Sequence, residues 1–450
     1  MGSQWTTMGA HLMHIPIFRD VISRCDKVLA PLGVDIKYVL TSADESIFDN
    51  ILNAFVGITA CQIGLVEILR ALKLEPAGLV GHSVGELGCA YADNCLTLEQ
   101  AILAAHARGR ASQESTLIKG MMAAVGMGHS DIVNQLPESI DVACRNSSSS
   151  CTLSGPAEDV QKFVSKLSSK GVFARSVNVA NIAYHSRYIQ PAGPILLKYL
   201  KEAIPENTKR SGKWISSSIP EKDWDSDLAA YCSPEYLTNN LLSPVLFEDA
   251  IKSIPSNAVL IEIAPHGLLQ AILKRAMTKN ATNVPLTHRS SGDGVKFLLE
   301  AIGQLYLIGF ELDISALYPP VQFPVPLDTP SLQPFVTWDH TEEYHLPKYM
   351  KCIDVDYLSI SEKCFTFKEI MDVLRTYERD DSAVSLHSFF LMEVWKIFGA
   401  LDSRGFDKVP VFLKIFKFTQ NLISQSKVFQ LFSPIQRSQF VCLTLQGLLA

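Results

Sequence analysis

The longest stretch of closely spaced apolar positions lies between Ile51 and Leu72. Ile51, Leu52, Phe55, Ile58, Ile63, Leu65, Val66, Ile68, Leu69 and Leu72 recur there at helical spacing with few polar interruptions. Such a pattern predicts a helix buried on most of its faces. The short run Ala77-Gly78-Leu79-Val80 then reads as a buried strand that breaks at Gly81, and a second helix follows through Leu87, Ala90 and Ala92. The same texture returns late in the chain, with a strand over Val259–Ile263 and helices over Leu268–Ala276 and Phe297–Leu307, the last closed by Ile308-Gly309.

Between these parts the pattern changes. Met122–Val125 reads as a strand and Ser130–Gln135 as a short helix opened by a Ser/Asp cap. Ile140–Ala143 and Cys151–Leu153 read as a hairpin turning at the serine run Ser147–Ser150. Glu158–Leu167 is an amphipathic helix ended by Gly171, and Phe173–Val179 is a last strand. The order β-α-β-β-α-β is that of a ferredoxin-like unit. The expected fold is therefore α/β, with an α/β body at residues 1–118 and 187–318 and a ferredoxin-like insertion at 119–186. Pro319 to Pro326 opens an extended linker, 319–350. Residues 351–450 form a separate piece, still strand-like over Phe440–Ala450, which reads as a truncated second domain.

Composition narrows the functional classes. Of 450 residues 47% are hydrophobic, enough for one large core or several smaller ones. The formal net charge is −6 and the cationic residues are dispersed, which argues against nucleic acid and against a polybasic membrane anchor. No run reaches the roughly 18 apolar residues of a membrane span, and Met1–His14 lacks the layout of a secretory signal. Ten cysteines without CxxC pairs read as free thiols of a reducing, cytoplasmic compartment.

The chemistry centres on Gly81-His82-Ser83-Val84-Gly85-Glu86. Gly-x-Ser-x-Gly between a strand and a helix is a nucleophile elbow, in which Gly81 and Gly85 leave room for the turn and the Val84 amide is the first oxyanion donor. On its own the elbow leaves esterases, patatin-like lipases and acyltransferases open. A serine needs a base, and His185, in Asn181-Ile182-Ala183-Tyr184-His185-Ser186, lies where the insertion rejoins the body. His82 is expected to point away from Ser83 in a supporting role, and His266 to be structural or orienting. Arg108, taken on its helix alone, reads as a surface cation.

From Met1 to about Tyr349 the chain resembles the malonyl/acetyl acyltransferase domain of animal type I fatty acid synthase. The matching runs are Met1-Gly2-Ser3-Gln4-Trp5, the Ser83 elbow, Tyr91-Ala92-Asp93, Ala107-Arg108-Gly109 and Met122-Ala123-Ala124-Val125-Gly126. Ser154-Gly155-Pro156, Tyr184-His185-Ser186, Asn240 to Phe247 and Glu262-Ile263-Ala264-Pro265-His266 complete the set. The resemblance implies an α/β-hydrolase-like body carrying the insertion, and ping-pong transfer from malonyl-CoA or acetyl-CoA. His185 would deprotonate Ser83, with a main-chain carbonyl in place of an acidic third member, and the acyl-serine would pass to the phosphopantetheine thiol of an acyl carrier protein. Arg108 would grip the malonyl carboxylate, and Tyr184 would line the acyl pocket. Lys274 and Arg275 could face CoA phosphates or the carrier protein, or form a solvated helix face. No tightly bound cofactor or metal is implied. In that family the second oxyanion amide belongs to the residue aligned with Met1, which follows a strand and a glycine; here Met1 opens the chain, implying a truncated N-terminus.

The run Phe389 to Phe398, followed by Val409 to Phe412, resembles the start of the synthase's dehydratase domain, a double hot-dog fold. Tyr377 stands where that motif has its catalytic histidine, and Asp381 and Leu386 replace its glycine and proline. This piece is expected to be catalytically dead. Two other readings remain: a serine ester or thioester hydrolase on the same dyad, and an inactive or partial synthase product with a binding or scaffold role.

Overall fold

A computed structural model describes residues 2–177, 179–277, 281–318, 323, 333–335 and 337. The chain divides into two units, Met1–Asp328 and Thr329–Ala450. Of the second unit a single 3-10 turn, Gln333–Phe335, is described; the hot-dog-like piece and most of the linker lie outside the described residues.

The body is organised on helices. Helix α1 (Pro16–Leu29) begins with proline at its first position, where no backbone donor is lost. Helix α2 (Ile51–Ala71) is capped by Asn50, whose side chain accepts from the Leu52 amide. Its apolar residues are buried on nearly all sides, as the pattern predicts. The sequence reading that no segment has the character of a membrane span needs correction, because this helix has the length and hydropathy of one; 89% of its most apolar window is buried inside the protein, so it is a core helix. Strand β1 (Leu79–Val80) leads to helix α3 (Gly85–Ala92), and helix α4 (Leu98–Glu114) follows, opened by a capping box of Thr97 and Gln100. Helix α2 packs against α1 and α4. At Gly109 the two backbones close so tightly that a Cβ would stand 2.6 Å from Leu52 Cα. Arg108, the residue before it, is buried.

The insertion has its own core. Strands β2 (Gly120–Val125), β3 (Asp141–Ser147), β4 (Ser150–Pro156) and β5 (Ala174–Val177) form one antiparallel sheet in the order β3-β4-β2-β5. Helix α5 (Ala157–Ser169) covers it with Val160, Phe163 and Leu167, which meet Ala123, Val125 and Leu153. The first helix of the unit is shorter than expected, His129–Ile132, and starts at Gly128 with no side-chain cap; 3-10 structure continues through Val133–Gln135. Strand β3 is tied to the body by Arg145 N donating to Val245 O and Val245 N donating to Ala143 O, both at 2.8 Å.

Back in the body, helix α6 (Gly193–Ala203) packs on α4 and on helix α7 (Pro234–Leu242), with strand β6 (Trp214–Ile215) between them in sequence. Strand β7 (Val259–Glu262), helix α8 (Gln270–Ala276), strand β8 (Thr282–Pro285) and helix α9 (Gly294–Ile308) complete it. β1 pairs in parallel with β6, and β7 with β8. Among the described residues β1 and β7 have no second neighbour. Inner strands of a parallel layer are normally buried on both faces, yet Leu79, Val80, Val259, Leu260 and Ile261 are only half-buried. They border a cleft of about 1660 Å³, which also takes in Val66 and Leu69 of α2 and Ile272 of α8.

Candidate active site

β1 ends at Val80, and the chain reverses into α3 within four residues. Ser83 stands at the apex with φ 56°, a left-handed angle that costs a residue with a Cβ. Gly81 is obligatory here, since a Cβ would lie 2.5 Å from the Glu86 nitrogen and 2.7 Å from Glu86 Cα. Gly85 is not, contrary to the expectation from the motif. Its added Cβ would have Gln62 Nε2 as nearest neighbour at 3.7 Å, because by this position the chain is already in α3. The amides of Gly85 and Glu86 donate to His82 O and Ser83 O. The Val84 amide donates to none of the described residues, which leaves it to face a developing oxyanion.

Ser83 Oγ lies 2.7 Å from His185 Nε2, and His185 Nδ1 lies 2.9 Å from the carbonyl oxygen of Ser243. A carbonyl only accepts, so Nδ1 carries the proton and Nε2 presents its lone pair to the serine hydroxyl. Both residues are buried. Burial, with the Arg108 charge second, pushes the His185 pKa down to about 3 against the opposing pull of the Ser243 carbonyl. The imidazole is therefore neutral at physiological pH.

Arg108 is 1% exposed, which removes the surface alternative. Its Nη1 donates to Asn240 Oδ1, while Nε and Nη2, the two donors that form one edge of the fork, have no partner among the described residues. The guanidinium sits over the Phe55 ring, 5.5 Å from its centroid, and Tyr184 packs edge-on against the same ring at 5.8 Å. Burial lowers the Arg108 pKa to about 10, opposed by Tyr184 and Glu86, and the group stays cationic. The cleft is lined by Phe55, Ser83, Val84, Tyr184 and His185; Arg108 does not line it but sits against Phe55.

The remaining candidates separate. His82 points to the insertion, with Nε2 2.9 Å from Asn146 Oδ1 and its ring against Phe247; burial lowers its pKa to about 4. His266 meets His288 edge-on with ring centres 4.5 Å apart and accepts weakly from the Arg289 amide. Lys274 and Arg275 are both exposed in the last turn of α8, and of the two Arg275 lines the cleft. Met1 lies outside the described residues; Gly2, Ser3 and Gln4 line the cleft with Ser83. Two residues met only inside motif runs also belong to the site. Asn240 on α7 donates from Nδ2 to Ser83 O (3.3 Å) and Ser218 Oγ (2.7 Å), and Glu86 is fully buried one turn beyond the nucleophile.

The acyl transferase domain family matches over residues 1–312. The chain belongs to this family. The match ends at residue 312, inside the expected body, and is shorter than the resemblance read from the sequence, which runs to about Tyr349. This acyltransferase is 33% identical over 363 residues to the highly reducing polyketide synthase gloL of Glarea lozoyensis, an alignment covering 76% of this chain and 14% of that protein. The chain thus spans about a seventh of that relative's length. The acyltransferase domain from module 8 of the salinomycin polyketide synthase superposes with a TM-score of 0.60 at 23% identity, covering 71% of this chain and 76% of that one. The malonyl CoA-acyl carrier protein transacylase of Coxiella burnetii gives 0.57 at 21% identity, covering 68% and 95%. The fold is thereby that of the acyltransferases. The relative by sequence is a polyketide synthase, where the motif runs pointed to animal fatty acid synthase.

Proposed function

We propose that this acyltransferase moves malonyl or acetyl groups from CoA to the phosphopantetheine thiol of an acyl carrier protein through an acyl-Ser83 intermediate. The observation that carries the substrate class is the buried, unpartnered Nε/Nη2 edge of Arg108, joined to the nucleophile by Asn240, which bonds both Arg108 Nη1 and Ser83 O. A guanidinium held on one side and free on its forked edge suits a carboxylate, a task lysine would do poorly. A turn of Phe55, Tyr184 or the guanidinium would bring that edge to the cleft.

In the first half-reaction Ser83 Oγ gives its proton to His185 Nε2 and attacks the thioester carbonyl. The oxyanion faces the Val84 amide, the C–S bond breaks, and the CoA sulfur leaves with the proton from His185. The second half-reaction runs the same steps backwards with the carrier-protein thiol as nucleophile. Tyr184 lines the acyl pocket and His82 holds the elbow to the insertion through Asn146. No tightly bound cofactor takes part. The body at 1–118 and 187–318 and the insertion at 119–186 would work in the cytoplasm with the other domains of a multidomain synthase. The motif runs support a fatty acid synthase, and the polyketide synthase relative supports the wider class.

Incubation with malonyl-CoA should add one malonyl group by intact mass, and Ser83→Ala should add none. An adduct of equal size on the Ala variant, or none on the folded chain, would overturn the proposal. Free malonate in place of transfer would instead identify a thioesterase. Arg108→Ala should lose malonyl transfer and retain acetyl transfer.

A further inference from the structure

Arg108 is a buried cation with no carboxylate against it, and Glu86 is a buried carboxylate with no cation in ion-pair contact among the described residues. Each would be costly alone. They are joined through neutral groups. Glu86 Oε1 accepts from Ser217 N at 2.7 Å, and Oε2 accepts from Tyr236 OH at 2.6 Å, Ser218 Oγ at 2.9 Å and Asn240 Nδ2 at 3.4 Å. Asn240 Nδ2 also donates to Ser218 Oγ, so that hydroxyl has only its own proton left to give, and gives it to Glu86. These donors therefore run toward Glu86, with Asn240 Nδ2 also reaching Ser83 O at 3.3 Å and Ser217 Oγ reaching Gly81 O at 2.7 Å. That polarity fixes the Asn240 amide with Nδ2 toward the carboxylate and Oδ1 toward Arg108 Nη1, since a flipped amide would set donors against the guanidinium.

We infer that Glu86 is a positioning residue for acyl-group selection: through Ser218 and Asn240 it balances the Arg108 charge and fixes the guanidinium, while leaving the Nε/Nη2 edge free. The neutral spacer is essential to the arrangement. A carboxylate directly on Arg108 would fill the fork that an incoming acyl carboxylate needs, whereas one placed beyond an amide stabilises the cation without competing for it. Glu86 is therefore the distant half of a separated ion pair. The inference rests on the reading of Arg108 as the carboxylate clamp.

The test measures kcat and KM for malonyl-CoA and acetyl-CoA with the full chain, its Arg108→Ala, Glu86→Gln, Glu86→Asp and Asn240→Asp variants, and thermal midpoints for each. Glu86→Gln should lower the malonyl-to-acetyl ratio of kcat/KM by roughly tenfold or more, the loss of a charge-assisted contact, mainly through the malonyl KM. Glu86→Asp should recover part of that ratio. Asn240→Asp, which puts the carboxylate on the guanidinium, should suppress malonyl transfer and keep acetyl transfer. A purely structural role would lower the midpoint and reduce both substrates by the same factor, and that result overturns the inference. If Glu86→Gln does not fold, an unchanged ratio in Asn240→Asp overturns it. Should Arg108→Ala itself leave the ratio unchanged, the clamp reading fails; a shift there with none in Glu86→Gln refutes the Glu86 role alone.

Discussion

Ser83 and His185 meet at 2.7 Å, and both hold left-handed backbone angles, φ 56° and 57°. Neither is glycine, asparagine or aspartate, the residues that adopt this region readily. The elbow and the chain's re-entry from the insertion each force their side chain into the cleft from a tight reversal. Strain of this kind persists where the surroundings over-determine it, and it gathers at functional sites.

Replacing Ser83 should reveal that strain. Ser83→Gly and Ser83→Ala both abolish the acyl adduct, but the glycine variant should be the more stable of the two by about 1 kcal/mol. Urea midpoints compare them directly; an alanine variant of equal or greater stability would argue against strain at the apex.

The two motif glycines should respond in opposite ways. Gly81→Ala brings its Cβ within 2.5 Å of rigid backbone and should cost roughly 1–3 kcal/mol or prevent folding. Gly85→Ala has ordinary contact distances and lies at the start of α3, so its stability should match or slightly exceed that of the parent. Denaturation of the pair separates a steric requirement from a sequence habit.

Acidification should weaken the fold through the buried histidines. His185 has a folded pKa near 3 against about 6.5 unfolded, so below pH 6.5 the unfolded chain binds the extra proton. Its contribution is fully present above pH 6.5 and is lost as the pH falls toward 3, at about 1.4 kcal/mol per pH unit. His82, lowered to about 4, acts in the same direction. Urea midpoints between pH 7 and 5 should fall, and less steeply in His185→Asn. The acylation rate should show no titration near pH 6.5, because the base is already neutral.

Removing the Arg108 charge should cost stability as well as malonyl transfer. Arg108→Met replaces a buried cation carrying two unsatisfied donors by an apolar chain of similar length. The thermal midpoint should fall, corresponding to about 1–3 kcal/mol, because Glu86 loses the charge it balances and Asn240 Oδ1 its donor, while malonyl transfer is lost. A rise in the midpoint would mean that the two orphaned donors outweigh the separated ion pair.

Much of this site could be read from residue order. The α2 pattern, the elbow and the His185 position each have local signatures, because apolar spacing and a strand–turn–helix order are written along the chain. Arg108 alone read as a surface cation, and the resemblance was needed to move it inside; in the fold it is buried against Phe55 and Asn240. Glu86 and Asn240 carry no local sign of burial, since the partners of Glu86 lie 131 (Ser217) to 150 (Tyr236) residues away, and Asn240 meets Arg108 and Ser83 across 132 and 157. The freedom at Gly85 was hidden for the same reason, as only the folded neighbourhood shows where a Cβ would point. The Tyr377 and Phe389 readings lie outside the described residues.

The half-buried strands β1 and β7 have a consequence for how the molecule breathes. Amide exchange is slow where hydrogen bonds are shielded on every side and fast where one edge opens to solvent. Helix α2 and its contacts with α1 and α4 should form the last part to exchange, while Leu79–Val80 and Val259–Glu262 exchange by small local openings. Ser83 sits at the seam between the two, three residues beyond a softly held strand and two before a helix packed on the protected core. Local opening of that edge should therefore reach the nucleophile before the helix in front of it loosens.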